Sequence, residues 1–312
     1  MDLVIRPAMP ADAPAVTRLL NAVDLIEIGR EESDVADVEA DLVHPEAALE
    51  DNSWLAFAGD ELVAYGLVWD DSRGERIDMD HYVLPGHQDA GERLLGLMEA
   101  QTVRRARSND AERAVVHLHL NVRPTLDTAL LTGRGWSVVR RYHVLTRPLA
   151  PDADPLPAGP GGLRLRDCRE EADRRTAHAL VEETFLDHFD NVPLTYEQWV
   201  NNLGAHVDWG HVWVASFDGE GDAAVLVTSN HRTPYAWVNT LGVRKGFRGR
   251  GVASHLLRHA FGFYAALGRD TIGLGVDTGN ETGALRLYEK HGMTTHFAVD
   301  TWEVVLPVPA MS

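Results

Sequence analysis

Cysteine is almost absent from this 312-residue chain, with Cys168 standing alone. That excludes an intramolecular disulfide and any zinc site built from several thiolates, and a lone thiol is most often an inert core residue. Lysine is nearly as scarce, two against 27 arginines, and the 29 bases together face 47 acids for a formal net charge of −18. Such a balance argues against nonspecific binding to nucleic acid or to an anionic membrane surface, and leaves a cationic partner open. No stretch is long and apolar enough to span a bilayer, and the opening MDLVIRPAMPADAP has no basic segment ahead of an apolar one; the expectation is a soluble, cytoplasmic protein. Apolar residues make up 45% of the chain, enough at this length for two domains with separate cores.

Proline is sparse, 15 in all, yet five fall with three glycines in the segment PLAPDADPLPAGPGG, 148–162. This composition resists helix and sheet alike and predicts a linker at 149–162 between domains at 1–148 and 163–312. Each half runs through the same series of elements, which points to an internal duplication. In the second half, GLRLRD reads as a strand, 169–187 as an amphipathic helix, and Thr195 with Gln198 as a capping box opening another helix. HVWVASF, AAVLVTSNHR and AWVNTLGV follow as an antiparallel meander, then a helix over 252–267, the strand TIGLGV, a helix over 281–291 stopped by Gly292, and FAVDTWEVVL closing the sheet. The first half matches this order, with strands at LVIRP, SWLAFAG, ELVAYGLVW, RIDMDHYV, AVVHLHL and RRYHVLTRPL and helices from Ala11, Val35, Gly91 and Thr125. The fold class is therefore mixed α/β, each half a central mixed sheet flanked by helices.

The segment VRKGFRGRGVA, 243–253, carries the most chemistry. A β-rich run leads into Arg248-Gly249-Arg250-Gly251 and then into a helix. Glycines allow close backbone approach and expose successive N–H groups, while a following helix presents its positive end, so this is the geometry of an anion or pyrophosphate cradle. Arg244, Lys245, Arg248 and Arg250 form a positive island in a half that is otherwise net negative. A solvent-exposed basic turn is the plainer alternative. Neither a Walker-type loop nor a dinucleotide fingerprint is present.

The run Leu241-Gly242-Val243 followed by Arg248-Gly249-Arg250-Gly251-Val252-Ala253 resembles the acyl-CoA motif of the GNAT N-acetyltransferase superfamily, Q/R-x-x-G-x-G/A after a strand. Asn280, Ala284, Leu287, Tyr288 and Gly292 fall on that superfamily's next motif, N-x-x-A-x-x-L-Y-x-x-x-G-F, with Met293 for the usual Phe. The resemblance covers 163–306 and implies two tandem acyl-CoA N-acyltransferase domains. It further implies acetyl-CoA as cosubstrate, held by backbone groups of Leu241 and Val243 and by the 248–253 loop. Asn280 would contact the CoA arm, and Tyr288 would act as general acid to the leaving thiolate. No metal is implied. The two-domain plan and the ending HGMTTHFAVDTW resemble the actinobacterial mycothiol synthase type, in which a cysteinyl pseudo-disaccharide supplies the amine, whereas FLDHFDNVPLTYEQW resembles uncharacterised tandem relatives.

The base that takes the amine proton is less legible. Many members of that superfamily place a Glu on the strand before the loop, but here Trp237, Asn239 and Thr240 stand there. His188, Asp190, His206, Asp208 and a water held by Asn239 and Thr240 are the candidates. In the first half the loop reads VLPGHQDAGER, with Asp89, Ala90 and Arg93 in place of Gly249, Arg250 and Ala253, and Leu131 falls where the phenol of Tyr288 stands. The expectation is a degenerate, non-catalytic first domain. Residues 24–51 hold 11 acids and one Arg, which would attract a cationic substrate if they faced a cleft. The function read from the sequence is acetyl transfer to a small-molecule primary amine by a monomer or homodimer; the alternative is a non-catalytic acyl-CoA-binding module.

Overall fold

The computed structural model describes residues 3–44, 47–70, 72–189, 191–204, 207–230, 235–279 and 283–309. The chain forms two compact units, Met1–Tyr142 with Phe297–Ser312, and His143–His296. Among the described residues no helix is long and apolar enough to cross a membrane.

In the first unit β1 (Leu3–Arg6), β2 (Ser53–Ala58), β3 (Glu61–Trp69) and β4 (Arg76–Val83) pair antiparallel in that order. β5 (Arg113–Asn121) lies parallel to β4. Helices α1 (Ala13–Glu27), α2 (Val35–Val43) and the short α3 (Leu49–Asn52) precede the meander, α4 (Gln88–Ser108) joins β4 to β5, and α5 (Thr128–Gly133) follows β5. Alternation along β4 sorts its side chains: Ile77, Met79 and Val83 enter the core under α4, while Tyr82 packs against the core under α1 and α2.

Beyond α5 runs β6 (Ser137–Pro148), whose last residues belong to the second unit. That unit contains β7 (Leu163–Asp167), α6 (Glu171–Phe185), α7 (Tyr196–Leu203), β8 (Val212–Phe217), β9 (Gly221–Ser229), β10 (Tyr235–Val243), α8 (Val252–Ala266), β11 (Thr271–Asp277) and α9 (Ala284–Lys290). β7 to β10 pair antiparallel in sequence order and β11 lies parallel to β10. Val212, Val214, Val225 and Val227 point to the α6–α7 side, whereas Trp213, Ala215, Phe217, Ala224 and Leu226 point to the α8 side. Thr195 and Gln198 do form the capping box of α7, with bonds of 3.2 and 2.9 Å. Gly292, at φ 80°, stops α9 in a Schellman motif, its own N–H reaching the Glu289 carbonyl and that of Met293 reaching the Tyr288 carbonyl.

The last strand departs from the sequence expectation. FAVDTWEVVL does not close the second unit's sheet: β12 (Thr294–Pro307) pairs antiparallel with β5, from Val299 opposite Asn121 to Pro307 opposite Arg113. The neighbour of β11 is β6 instead. Each unit thus takes its final strand from the other half of the sequence. Specific partners go with this choice: Glu303 of β12 bonds His117 of β5 at 2.9 Å, and Leu145 of β6 is fully buried among the second unit's core residues, while Arg141 of β6 donates to Asp300 of β12 at 2.6 and 2.8 Å. The segment predicted as a linker is packed as well. Arg147 holds Asp154 at 2.6 Å, and the backbone at Pro155 and Leu156 lies so close to α8 that a Cβ on Gly262 would stand 2.9 Å from the Leu156 nitrogen.

Candidate active site

The site is built where β10 and β11 part. Their parallel pairing runs from Tyr235 opposite Thr271 to Val238 opposite Leu274 and ends there. On the other edge of β10 the register with β9 slips between Val238 and Thr240, making Asn239 the extra residue of a β-bulge. The bulge swaps the strand's faces: Ala236 and Val238 pack under α8 before it, Leu241 and Val243 after it. Beyond Val238 no residue of β10 has a register partner on β11, so the pairing is interrupted along Asn239–Val243, a gap beside which Asn239 and Gly275 are exposed. α6 presses on β10 beside this gap, because Gly242 has no side chain; a Cβ there would lie 2.1 Å from Thr184 Oγ1.

At the end of β10 the chain makes one 3₁₀ turn over Lys245–Phe247, and Gly249 and Gly251 follow at φ 78° and 80°. A Cβ at either glycine would meet nothing within 4 Å. Glycine is needed there for its left-handed backbone and not for room, which is what an open concave loop requires. Gly251 is the N-cap of α8, and the helix ladder starts only with His255 N–H donating to the Gly251 carbonyl at 3.0 Å. The N–H groups of the first turn before it therefore project from the helix end, carrying its positive dipole.

The positive island is less free than its sequence suggests. Arg244 binds Glu183 at 2.8 Å, Lys245 binds Asp187 at 2.9 Å, and Arg250 forks onto Glu220 at 2.8 and 2.9 Å while stacking 3.8 Å over the Phe217 ring. Arg248 turns back to donate to the Val243 carbonyl at 3.1 Å and makes no ion pair among the described residues. The side chains thus brace the loop, and what it leaves open is the backbone of 248–253 with the helix end behind it.

Tyr288, on α9, is only 8% exposed and lies in one packed cluster with Val252 and Val276, against which Leu241, Val243, Ala284 and Leu287 also pack. Burial pushes its phenol up to about 12. The group therefore stays protonated at all working pH values, and full proton release to a thiolate, whose acid has a pKa near 8.5, is uphill. Such a phenol can donate a hydrogen bond more readily than a proton. Ser254, in the first turn of α8, bonds His291 at the end of α9 and ties the two helices together.

The other sequence candidates are separated by the fold. Asn239 stands at the gap. His188 is half-buried beside Phe185, their rings 4.2 Å apart, and feels Asp277 at the end of β11, Arg248 in the loop and Asp187. Burial holds its imidazole below the ordinary value, so it is neutral at pH 7. Asp208 instead caps the turn before β8, accepting from Gly210 N–H at 2.8 Å, at the end of the sheet opposite the glycine loop. Asp190, His206 and Asn280 lie outside the described residues. Cys168 is wholly buried and its thiol is pushed up to about 12 by burial, as befits a core residue. Sequence reasoning missed the bulge at Asn239 and the role of Thr184, because a one-residue slip and a helix pressing on a glycine leave no periodic signal.

The equivalent region of the first unit is organised differently. Gln88, opposite Arg248 in the sequence comparison of the two halves, donates to the Thr125 carbonyl at 3.0 Å and accepts from Asp127 N–H at 2.8 Å. Glu27, from α1, accepts from Thr125 N–H and Oγ1 and from Asn121 at 2.5 to 2.9 Å. The segment after β5 is thereby fastened to both helices, and Leu131, fully buried, replaces the phenol. Among the described residues no group of three or more His, Cys, Asp or Glu is disposed to hold a metal ion in either unit.

Residues 173–293 match the model of the Acetyltransferase (GNAT) family. The chain is similar over 99% of its length to a GCN5-related N-acetyltransferase from Sphaerobacter thermophilus, with 26% identity, 97% of that chain covered and a TM-score of 0.84. It is also similar in fold to a tandem GNAT protein from the clavulanic acid biosynthesis pathway, with 17% identity, full coverage of both chains and a TM-score of 0.67. A glucosamine N-acetyltransferase region of a fungal multi-domain β-N-acetylglucosaminidase aligns over 97% of this chain and 38% of that one, at 14% identity and a TM-score of 0.69. No functionally curated protein matches the sequence. Members of this family bind acetyl-CoA and transfer acyl groups to amines. The chain has the tandem GNAT fold, and its second unit carries a segment, 173–293, that matches the model of the GNAT acetyltransferase family.

Proposed function

We propose that the second unit transfers an acetyl group from acetyl-CoA to a primary amine by direct attack, and that the first unit is a non-catalytic companion. The observation that carries this reading is the continuity of gap and loop: β10 parts from β11 at Asn239 and runs straight into Gly249 and Gly251 at the head of α8. A thioester arm laid along the exposed edge of β10 reaches the backbone of Leu241 and Val243, and its pyrophosphate meets the N–H groups of Arg248–Ala253. The amine nitrogen attacks the thioester carbonyl and gives up its extra proton to a water relay, the carbon–sulfur bond breaks, and the Tyr288 hydroxyl donates a hydrogen bond to the departing thiolate, which takes its proton from solvent.

An alkylammonium must lose its proton first, at about 4 to 5 kcal/mol at pH 7 for an unperturbed group. Asn239, exposed on the bulge, and Thr240 are suited to hold the water that relays it, and His188, neutral through burial, accepts protons at the mouth of the gap. The absence of a carboxylate on β10 favours an acceptor amine of low pKa. The partner is a small-molecule amine.

The test is acetyl-CoA turnover against a panel of primary amines, comparing the wild type with Tyr288→Phe. The rate is expected to fall roughly 10²-fold or more with acetyl-CoA affinity unchanged. An unchanged rate removes the donor role from Tyr288. Acetyl-CoA binding with no turnover of any amine identifies a non-catalytic acyl-CoA-binding module instead.

A further inference from the structure

The second unit has a cavity away from the acyl-transfer gap. Helices α6 and α7 and the turn into β8 enclose about 320 Å³, with Arg174 of α6, Tyr196, Glu197 and Asn201 of α7, and Trp209 of the turn among its lining. That volume is at the lower end for small-molecule sites. The cavity lies at the first turn of α6, whereas Asp187, just past the last turn, pairs with Lys245 at the glycine loop. The 15 residues of α6 rise about 22 Å, so a molecule held here is not the acceptor amine of the gap. The walls are fixed by contacts of their own. The Trp209 carbonyl accepts from Cys168 N–H at 3.1 Å, and its ring tilts against the buried Trp199 at 5.7 Å. Tyr196 lies under the Arg175 guanidinium at 4.2 Å, and Arg175 also takes the carboxylate of Glu171, on the cavity rim, at 2.7 Å.

Two opposite charges at this cavity are left without a counter-ion. Arg174 stacks on the Trp209 ring at 4.7 Å and donates through Nε and Nη2 to the carbonyls of Cys168 and Arg169 at 3.0 and 2.5 Å. Its Nη1 makes no hydrogen bond, and its charge meets no carboxylate among the described residues. Glu197 lines the same cavity and forms neither a side-chain hydrogen bond nor an ion pair among the described residues, and the Asn201 amide is likewise unbonded there. Opposite charges that share a cavity without reaching each other match an occupant that carries both. A carboxylate on Arg174 would gain a charge-assisted bond and the positive end of α6. Between the two charges Tyr196, Val200 and Trp209 present ring and methyl surface, which suits an aromatic side chain and not a purely polar ion.

We propose that this cavity binds a free aromatic α-amino acid, its carboxylate on Arg174 Nη1 and the Asn201 amide, its ammonium on Glu197, and its ring against Tyr196, Val200 and Trp209. The proposal is independent of acyl transfer at the gap. The probe is L-phenylalanine, titrated calorimetrically into the full chain at about pH 7.5 without acetyl-CoA. Two analogues accompany it: 3-phenylpropionate, which lacks the ammonium, and 2-phenylethylamine, which lacks the carboxylate. One site per chain is expected for L-phenylalanine, with each analogue at least about tenfold weaker. Glu197→Gln is expected to lower L-phenylalanine to the affinity of 3-phenylpropionate, and Arg174→Gln to that of 2-phenylethylamine. Thermal melts check the Arg174 variant, which also gives up the bonds to the Cys168 and Arg169 carbonyls; Glu197→Gln gives up none and decides the matter if that variant fails to fold. Unchanged affinity in Glu197→Gln, equal binding of all three compounds, or no binding of L-phenylalanine up to about 10 mM overturns the assignment.

Discussion

Replacing Gly251 by Asp and by Ala separates the two things this position does. Its backbone is left-handed, at φ 80° and ψ 4°, and a Cβ there meets no atom within 4 Å. Both variants therefore pay conformational strain and no steric clash, about 1 to 2 kcal/mol for Ala and less for Asp, which tolerates this region. For a domain of this size that is a loss of roughly 2 to 8 °C in Tm. Only the Asp variant adds charge. A carboxylate about 5 Å from one phosphate charge, at an effective dielectric constant near 20, costs about 3 kcal/mol, or some 200-fold in affinity. Calorimetric titration with acetyl-CoA is expected to find Gly251→Ala within about tenfold of wild type and Gly251→Asp weaker by two orders of magnitude or more. Thermal melts run alongside check that both variants fold. Equal affinities in the two variants refute placement of the pyrophosphate on this loop.

Three further outcomes follow from the packing and the charges. Gly242→Ala drives a methyl into Thr184, so it is expected to lose about 1 to 3 kcal/mol of stability by denaturant titration, and Thr184→Ala in the same chain, which removes the clashing hydroxyl, to restore part of that. Asp80→Asn keeps an acceptor for Trp69 while removing a buried like charge. Because the folded-state pKa is raised above the unfolded value, the ionised Asp80 carries a stability cost that is absent below about pH 4, grows as pH rises through about 6 and levels off above it. The variant is therefore expected to melt higher than wild type at pH 8 and no higher at pH 4; the reverse order contradicts the burial argument. Breaking the Arg250–Glu220 pair with Glu220→Gln, an exposed ion pair, is expected to change stability by less than about 1 kcal/mol. It should leave acetyl-CoA affinity nearly unchanged, since the loop backbone and not the Arg250 charge is the binding element, and a large loss of affinity argues against that view.

Much of the local plan was legible in the sequence because it rests on local chemistry. The order of elements, the capping box of Thr195 and Gln198, the stop at Gly292 and the glycine loop into α8 all depend on residues a few positions apart. What was hidden depends on distant ones. β6 and β12 have equivalent patterns, as a duplication requires, so nothing in either strand says which unit it joins; the choice goes with distant partners such as His117 for Glu303 and the second unit's core for Leu145. The positive island likewise looked unneutralised because Glu183, Asp187 and Glu220 lie 30 to 61 residues away from their partners. Of the site, the loop and Tyr288 could be named from spacing. The parting of β10 and β11 could not, since it follows from a single slipped residue at Asn239.

The central claim is that one acyl-CoA site exists per chain, in the second unit. Isothermal titration of the purified chain with acetyl-CoA tests it most directly, read for stoichiometry as well as affinity. One site, abolished by Gly251→Asp, is the result expected of a binding second unit beside a first unit whose corresponding segment is fastened by Gln88 and Glu27. Two sites would contradict the assignment of the first unit, and no binding would contradict the function proposed for the second.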